Sequence, residues 1–324
     1  LPREEVLDGI RVIRTPALRR RPNICVTHEM ASFLLGAPGP TLARIRRRRY
    51  DITHCHFIIP GGLLALAVKR MTGLPYVITS HGTDVPGFNP DRFNFAHRFT
   101  RPLLRVVLAQ AAAVTAPSHY LAKLIHGNIG PYPVEHVPNG IDLQNFRVSA
   151  DAPKQNVILG TGRLLQRKGF QTLIQAVRDV ELPFEVHIAG DGPYRRELER
   201  LAEGSRTPIV FHGWVRQGSR ELLSLYERAL IYVLASSREN ASVSLLEAMA
   251  ARCVTITTNV SGCPETVGDA GFLIDYGDQA ALRDILLRLA REPQTVRTYA
   301  ARARARLEAE FLWPGIVRQY EAVY

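Results

Sequence analysis

The sequence predicts an α/β protein of two domains, each a parallel sheet covered by helices, facing one another across a cleft. Three observations lead there. The chain has 324 residues, the length of about two domains. From residue 51 onward, short apolar runs alternate with helical segments, the pattern of parallel strands with helices on both faces. The polar, proline-containing stretch SADAPKQN, residues 149–156, separates two such series and reads as a linker. Ligands of open parallel sheets sit at the carboxyl ends of the strands, and two facing domains create a cleft there.

The first series runs HCHFII as a strand, GGLLALAVKRM as a helix and YVITS as a strand. A long helical stretch around Arg98 to Ala113 follows, then AVTAP, the helix HYLAKLI and the strand VEHVP. VPNGIDLQNF closes the series as a strand end and turn. The second series gives six strands, VILGTGR, FEVHIAG, IVFHGW, LIYVLAS, VTITTN and FLID, with helices between them. The expected boundaries are therefore 1–150 for the first domain and 151–310 for the second.

Composition is that of an ordinary globular protein, with 46% hydrophobic and 22% charged residues. Cys25, Cys55, Cys253 and Cys263 are scattered, without Cys-x-x-Cys or metal-ligand spacing, and read as reduced cytosolic thiols. The longest apolar run, FIIPGGLLALAV, is too short to span a membrane and is broken by Pro-Gly-Gly. Nothing reads as a signal peptide, and the expected location is the cytoplasm. The 41 Lys and Arg outnumber the 30 Asp and Glu, with clusters at Arg19, Arg20 and Arg21 and at Arg44–Arg49. Such runs read either as solvated helix ends or as peripheral contact with an anionic membrane surface. No aromatics interleave with them, which argues against nucleic acid as a partner.

The chemistry concentrates in SRENASVSLLEAMAA, residues 237–251. From Val243 the helix formers argue for a mostly buried helix, with Ser242 where an N-cap belongs. Glu239 then lies in the loop that feeds the helix and Glu247 lies within it. A helix N-terminus is an anion site, and a carboxylate at each end could hold sugar hydroxyls around a bound phosphate. The plainer reading is a buried helix with an acidic first turn. Upstream, a strand leads into Gly160 and Gly162, a basic loop with Arg163 and Lys168, and a helix from Phe170. The glycines allow close backbone approach, and the two cations could neutralise a diphosphate. Downstream, Gly262, Pro264 and Glu265 mark a loop after a strand that ends near Thr258.

In order, GTGRLLQRKG, HIAGDGP, VFHGWV, the pair Glu239 and Glu247 with LLEAMA, and SGCPETV with GFLI resemble the retaining glycosyltransferases of family 4. SHGTDVPG, APSHYLAKLI and VPNGIDLQNF extend the resemblance through the first half. It implies the GT-B architecture, two Rossmann-like domains, with the C-terminal helix of about 311–324 packing back on the first. It implies transfer of a sugar, with retention, from a UDP- or GDP-sugar to a hydroxyl of a glycan or lipid-linked acceptor, without a cofactor. Leu1 is not a methionine, and PREEVLDGIRVIRTP resembles the middle of the family's first domain. The resemblance therefore implies that a preceding strand, loop and helix are missing. A truncated, non-catalytic nucleotide-sugar-binding domain is accordingly the alternative reading.

Residue by residue, Arg163 and Lys168 match the family's phosphate-binding cations. Together with the helix N-terminus near Ser242 and Val243 they could take the place of a metal, for which no Asp-x-Asp element stands out. Glu247 matches the glutamate that holds the donor ribose, and Glu239 the one beside the transferred sugar. Asn240, Ala241 and Ser242 replace the commoner Gly-Phe-Gly, so the donor sugar is not legible. Gly162 lines the phosphate turn, and Gly213 and Val215 match the loop that flanks the nucleobase with backbone groups. His81 matches a histidine facing the donor sugar, with Asp84 a weaker candidate, and His54 and His56 read as packing residues. Two other enzyme classes fit less well. If Glu239 and Glu247 lay on one helix, eight residues would separate them by about 12 Å, beyond the roughly 5 to 9.5 Å of glycosidase carboxylate pairs, although a loop at Glu239 could shorten the distance. A glycan phosphorylase would need a pyridoxal phosphate lysine, and no lysine besides Lys168 has a suitable context.

Overall fold

The computed structural model describes residues 2–20, 27–89, 94–148 and 153–324. Its contacts divide the chain into two compact units. The first takes residues up to Pro117, Leu121–His136 and Val323–Tyr324, and the second takes Ser118–Tyr120 and Val137–Ala322. The division at His136 falls inside the stretch that the sequence assigns to the first domain. Arg21 and Cys25 lie outside the described residues.

The first unit opens with a hairpin, β1 (Glu4–Leu7) and β2 (Ile10–Ile13), paired antiparallel. Helices α1 (Thr27–Gly36) and α2 (Pro38–Arg47) follow. The sheet proper is parallel, with β3 (Thr53–His56), β4 (Tyr76–Thr79), β5 (Ala113–Ala116) and β6 (Glu135–His136) side by side in that order. Helices α3 (Leu63–Thr72), α4 (Asn94–Ala109) and α5 (His119–Asn128) connect the strands. Every residue of β4 is buried, as expected of a strand covered on both faces. The register sets His56 opposite Thr79, two residues before His81. In the arginine run, Arg44, Arg46 and Arg47 fall in the last turn of α2, where cations complement the helix dipole.

The second unit is a six-stranded parallel sheet in the order β12-β11-β10-β7-β8-β9. Its strands are β7 (Gln155–Thr161), β8 (Glu185–Ala189), β9 (Ile209–Gly213), β10 (Ala229–Leu234), β11 (Val254–Thr258) and β12 (Gly271–Ile274). The helices are α6 (Phe170–Val177), α7 (Arg195–Ala202), α8 (Arg220–Arg228), α9 (Val243–Ala250) and α10 (Cys263–Val267), then α11 (Gln279–Arg291), α12 (Pro293–Glu310) and α13 (Trp313–Val323). Alternate strand residues feed two cores. Leu159, Tyr232 and Leu234 meet Leu245, Leu246 and Met249 of α9 on one face. Ile158, Ile231 and Val233 meet Phe170, Leu173 and Ile174 of α6 on the other. The jump from β9 back past β7 to β10 reverses the strand order and leaves a crevice at the carboxyl ends of the two central strands.

Candidate functional site

At the carboxyl end of β7 the chain is forced into a tight course. Gly162 donates its N–H to Ala189 O at 3.0 Å, Arg163 is exposed, and Leu164 turns into the core. A single 3₁₀ turn, Gln166–Lys168, leads to Gly169 in the left-handed region at φ +73°. A Cβ at Gly169 would lie 1.8 Å from Ala235 O, so the turn is seated directly on the end of β10. Ser237 N–H donates to Arg167 O at 2.8 Å and Ser236 Oγ donates to it at 3.1 Å, which fixes the same turn from β10's side.

This seating brings Lys168 to Glu239. The Lys168 Nζ forms an ion pair with Glu239 Oε1, and only 19% and 14% of the two side chains are exposed. The Glu239 loop is pinned from its far side, because its carbonyl accepts from Gly262 N–H at 2.8 Å. A Cβ at Gly262 would fall 1.5 Å from Asn240 O. Asn139 Nδ2 donates to Ala241 O at 2.9 Å, tying the loop to the VPNGI turn as well.

Ser242 is the N-cap residue of α9, but its hydroxyl meets Ser244 Oγ at 2.9 Å and makes no cap bond to the helix amides. The helix start thus keeps its positive end available to an anion, beside Val243, which is 44% exposed. Glu247, in the middle of α9, is 5% exposed. Tyr226 OH donates to its Oε2 at 2.8 Å and Gln217 Nε2 donates to its Oε1. Burial pushes the Glu247 carboxyl above its ordinary value, and these two hydrogen bonds oppose the shift. Tyr226 and Tyr232 each lie 2.9 Å from Thr161 Oγ1, so the carboxylate rests on a buried polar network that starts at β7. Glu239 in a loop and Glu247 in a helix are not two points on one helix axis. Gly213, at φ +71°, has its carbonyl occupied by Gly190 N–H at 2.7 Å, and Val215 is buried.

Around His81 the structure corrects the sequence reading of three residues. His54 and His56 do more than pack. His56 Nδ1 lies 2.9 Å from His81 Nε2, and His54 Nε2 lies 2.7 Å from Thr79 Oγ1. His54 Nδ1 meets Tyr324 OH at 2.6 Å, and the rings of His54 and His56 stack at 4.8 Å. Asp84 is a scaffold: buried, its Oδ2 accepts from Ile58 N–H and Ser80 Oγ, and its Oδ1 from His81 and Gly82 N–H. Its carboxylate therefore shapes the loop that presents His81.

All three imidazoles are held below their ordinary value of 6.5 by burial, and His54 is pushed down to about 4 with His56 and His81 adding to the effect. The unfolded chain therefore binds more protons than the folded one between pH 6.5 and about 4. Stability is full above that window and falls as pH drops through it. The expected observation is a melting temperature that declines from pH 7 to 4.5, with a shallower slope in His54→Gln. An equal slope in the variant would remove His54 from the account.

Cys55, Cys253 and Cys263 are buried free thiols, with burial raising Cys55 to about 12 and the other two to about 11. They are inert packing residues by this measure. Among the described residues no helix is long and apolar enough to cross a membrane.

The family model described as Glycosyltransferase Family 4 matches residues 3–145, and that described as Glycosyl transferases group 1 matches residues 155–292. The chain belongs to the group 1 glycosyltransferases. Its fold is GT-B, two parallel-sheet α/β domains. This glycosyltransferase is 28% identical over 299 residues to N-acetyl-alpha-D-glucosaminyl L-malate synthase of Bacillus anthracis, covering 86% of this chain and 75% of that one. It is 26% identical over 331 residues to a GDP-mannose-dependent mannosyltransferase of monoacylated phosphatidylinositol monomannoside from Corynebacterium glutamicum, covering 93% and 80%. Among solved structures, sucrose-phosphate synthase of Thermosynechococcus elongatus superposes with a TM-score of 0.80 at 22% identity, covering 100% and 85%. HepE of Anabaena, solved with UDP-glucose, gives 0.71 at 17% identity, covering 90% and 82%.

The structure brings Lys168, Glu239, Ala241, Ser242 and Glu247 together around the start of α9, and it sets Gly162 and Arg163 at the neighbouring turn. Sequence reasoning missed Gln217, Tyr226 and Asn139, all of which hold this group in place. Only Asn139 carried a signal, as part of the quoted motif VPNGIDLQNF. Tyr226 reads as one more apolar-face residue of α8, and Gln217 as loop.

Proposed function

We propose that the protein is a retaining hexosyltransferase that moves a sugar from a UDP- or GDP-sugar to a hydroxyl of a glycan or a lipid-linked acceptor. The observation that carries this reading is the pairing of Lys168 with Glu239 in front of the α9 N-terminus, with Glu247 buried one turn further along. A departing nucleoside diphosphate gains charge as the bond to the sugar's anomeric carbon breaks. Fixed cations and helix-end amides at that position stabilise the charge in the transition state more than in the ground state. Arg163 and Lys168 supply the cations and α9 the amides, so the site carries the diphosphate without a metal ion. Glu247 accepts from the vicinal ribose hydroxyls, which a buried carboxylate does well, and Glu239 lies on the side of the transferred sugar. The relatives from Bacillus anthracis and Corynebacterium glutamicum, whose names specify transferred sugars and hydroxylated acceptors, support this substrate class. The exposed arginines Arg46–Arg49 at the end of α2 support an acceptor met at the inner membrane surface.

Calorimetric titration with UDP and GDP tests the donor half of the reading. One of the two nucleotides is expected to bind, and Arg163→Ala and Glu247→Ala, each checked for folding by circular dichroism, are expected to weaken it at least about tenfold. A folded wild-type chain that binds neither nucleotide refutes the proposal.

A further inference from the structure

Glu247 has two oxygens in different situations. Its Oε2 is held by Tyr226, which is fully buried and itself fixed by Thr161. Its Oε1 is held by Gln217, an exposed residue in the loop between β9 and α8, whose side-chain amide reaches in to the carboxylate. With Glu247 only 5% exposed, its Oε2 is held by a fully buried tyrosine and its Oε1 by a residue of an exposed loop, so Oε1 is the oxygen that a ligand hydroxyl arriving from the loop side would meet. Gln217 and that hydroxyl therefore want the same acceptor.

We infer that Gln217 competes with a ribose hydroxyl for Glu247 Oε1 and thereby sets how strongly the site prefers ribonucleotides over deoxyribonucleotides. The inference rests on the nucleotide-binding reading given above. A ribonucleoside diphosphate must displace the Gln217 amide before its hydroxyl can bond to Glu247. Its apparent affinity is reduced by the fraction of molecules in which the amide is in place. A 2′,3′-dideoxynucleoside diphosphate has no hydroxyl to offer, so Gln217 stays on Glu247 and the carboxylate remains satisfied. Gln217 thus weakens the correct ligand and shelters the site from the full cost of the wrong one. Discrimination by a buried polar group is strong when the wrong ligand leaves that group unpaired. Removing Gln217 exposes the site to that cost.

Gln217 lies on an exposed loop, and Ser219 caps α8 independently of it through a hydrogen bond to Leu222 N–H, so Gln217→Ala should fold normally. The test is calorimetric titration of wild type and Gln217→Ala with whichever of UDP and GDP binds, and with its 2′,3′-dideoxy analogue. A net hydrogen bond contributes on the order of 1 kcal/mol, which corresponds to a few-fold to tenfold change in affinity. The variant is expected to bind the ribonucleotide about threefold to tenfold more tightly, with the dideoxy analogue unchanged or weaker. Gln217→Glu, which places a second carboxylate against Glu247 and cannot donate when ionised, should also widen the gap between ribo- and dideoxynucleotide at pH 8. Unchanged or weaker ribonucleotide binding by Gln217→Ala overturns the inference and leaves the donor site standing, since wild type still binds. Wild type that binds neither ribonucleotide overturns both.

Discussion

Replacing Lys168 by alanine is expected to slow release of UDP or GDP from the cognate nucleotide-sugar by about 10²–10³-fold, the cost of removing one preorganised charge-stabilising donor. The reason is the way the ammonium is held. Its side chain is only 19% exposed, and the turn that carries it is seated so close to Ala235 O that a Cβ at Gly169 would lie 1.8 Å from it. A donor held this way needs little reorganisation as charge develops on the diphosphate. Alanine also leaves Glu239, 14% exposed, without its ion-pair partner, an uncompensated negative charge where Lys168 is proposed to meet the diphosphate. Lys168→Arg keeps the charge but puts a larger planar guanidinium in place of the compact ammonium that pairs with Glu239, so partial activity is expected. Nucleotide release measured by a coupled assay decides the matter. Wild-type rates in Lys168→Ala would remove this residue from the mechanism.

Gly169→Ala is expected to damage stability and binding together. Its backbone sits at φ +73°, which costs an L-residue roughly 1–2 kcal/mol, and the added Cβ would lie 1.8 Å from a backbone oxygen that cannot rotate away. The combined destabilisation should be about 2–4 kcal/mol, seen as a drop in melting temperature of roughly 5–10 °C. Because relief of the clash requires the turn to lift off β10, Lys168 leaves Glu239 and nucleotide affinity falls as well. A melting curve and a nucleotide titration on the same preparation test both parts. A variant that melts like wild type would show that the turn is not seated as described.

What the sequence disclosed follows the range of the interactions. The strands of the second unit were legible because each is a short apolar run between turn residues, and those runs became β7 to β12. The glycines at 160 and 162 and the cations that follow them, Arg163 and Lys168, were legible because motif and spacing are local. The opening hairpin was overlooked, although Asp8-Gly9 between two apolar-polar runs is a strong hairpin signal. The partners of Glu247 were out of reach, since Gln217 and Tyr226 stand 30 and 21 residues away and nothing local marks either. The same holds for His56 and His81. They meet only because β3 and β4 pair in a register that sets His56 opposite Thr79, which no periodicity within one strand encodes. Residues read as packing on a strand face became hydrogen-bonding partners once the neighbouring strand was known.

The strand order β12-β11-β10-β7-β8-β9 has a consequence for how such a protein can change over time. Lys168 and Glu239 hang from the two central strands, and the loop after β7 sits so closely on the end of β10 that a single methyl group at position 169 has no room. Gln217 hangs from the loop after β9, at the outer rim of the sheet, where only one side of the strand is paired. Loops of that kind absorb substitutions and insertions with little penalty. The part of the site proposed for the diphosphate is thus mechanically conservative, and the loop beside Glu247 is free to drift. On the proposed reading, a lineage can retune which nucleoside it accepts by editing the rim, while the cations proposed to stabilise the departing nucleotide pass on unaltered.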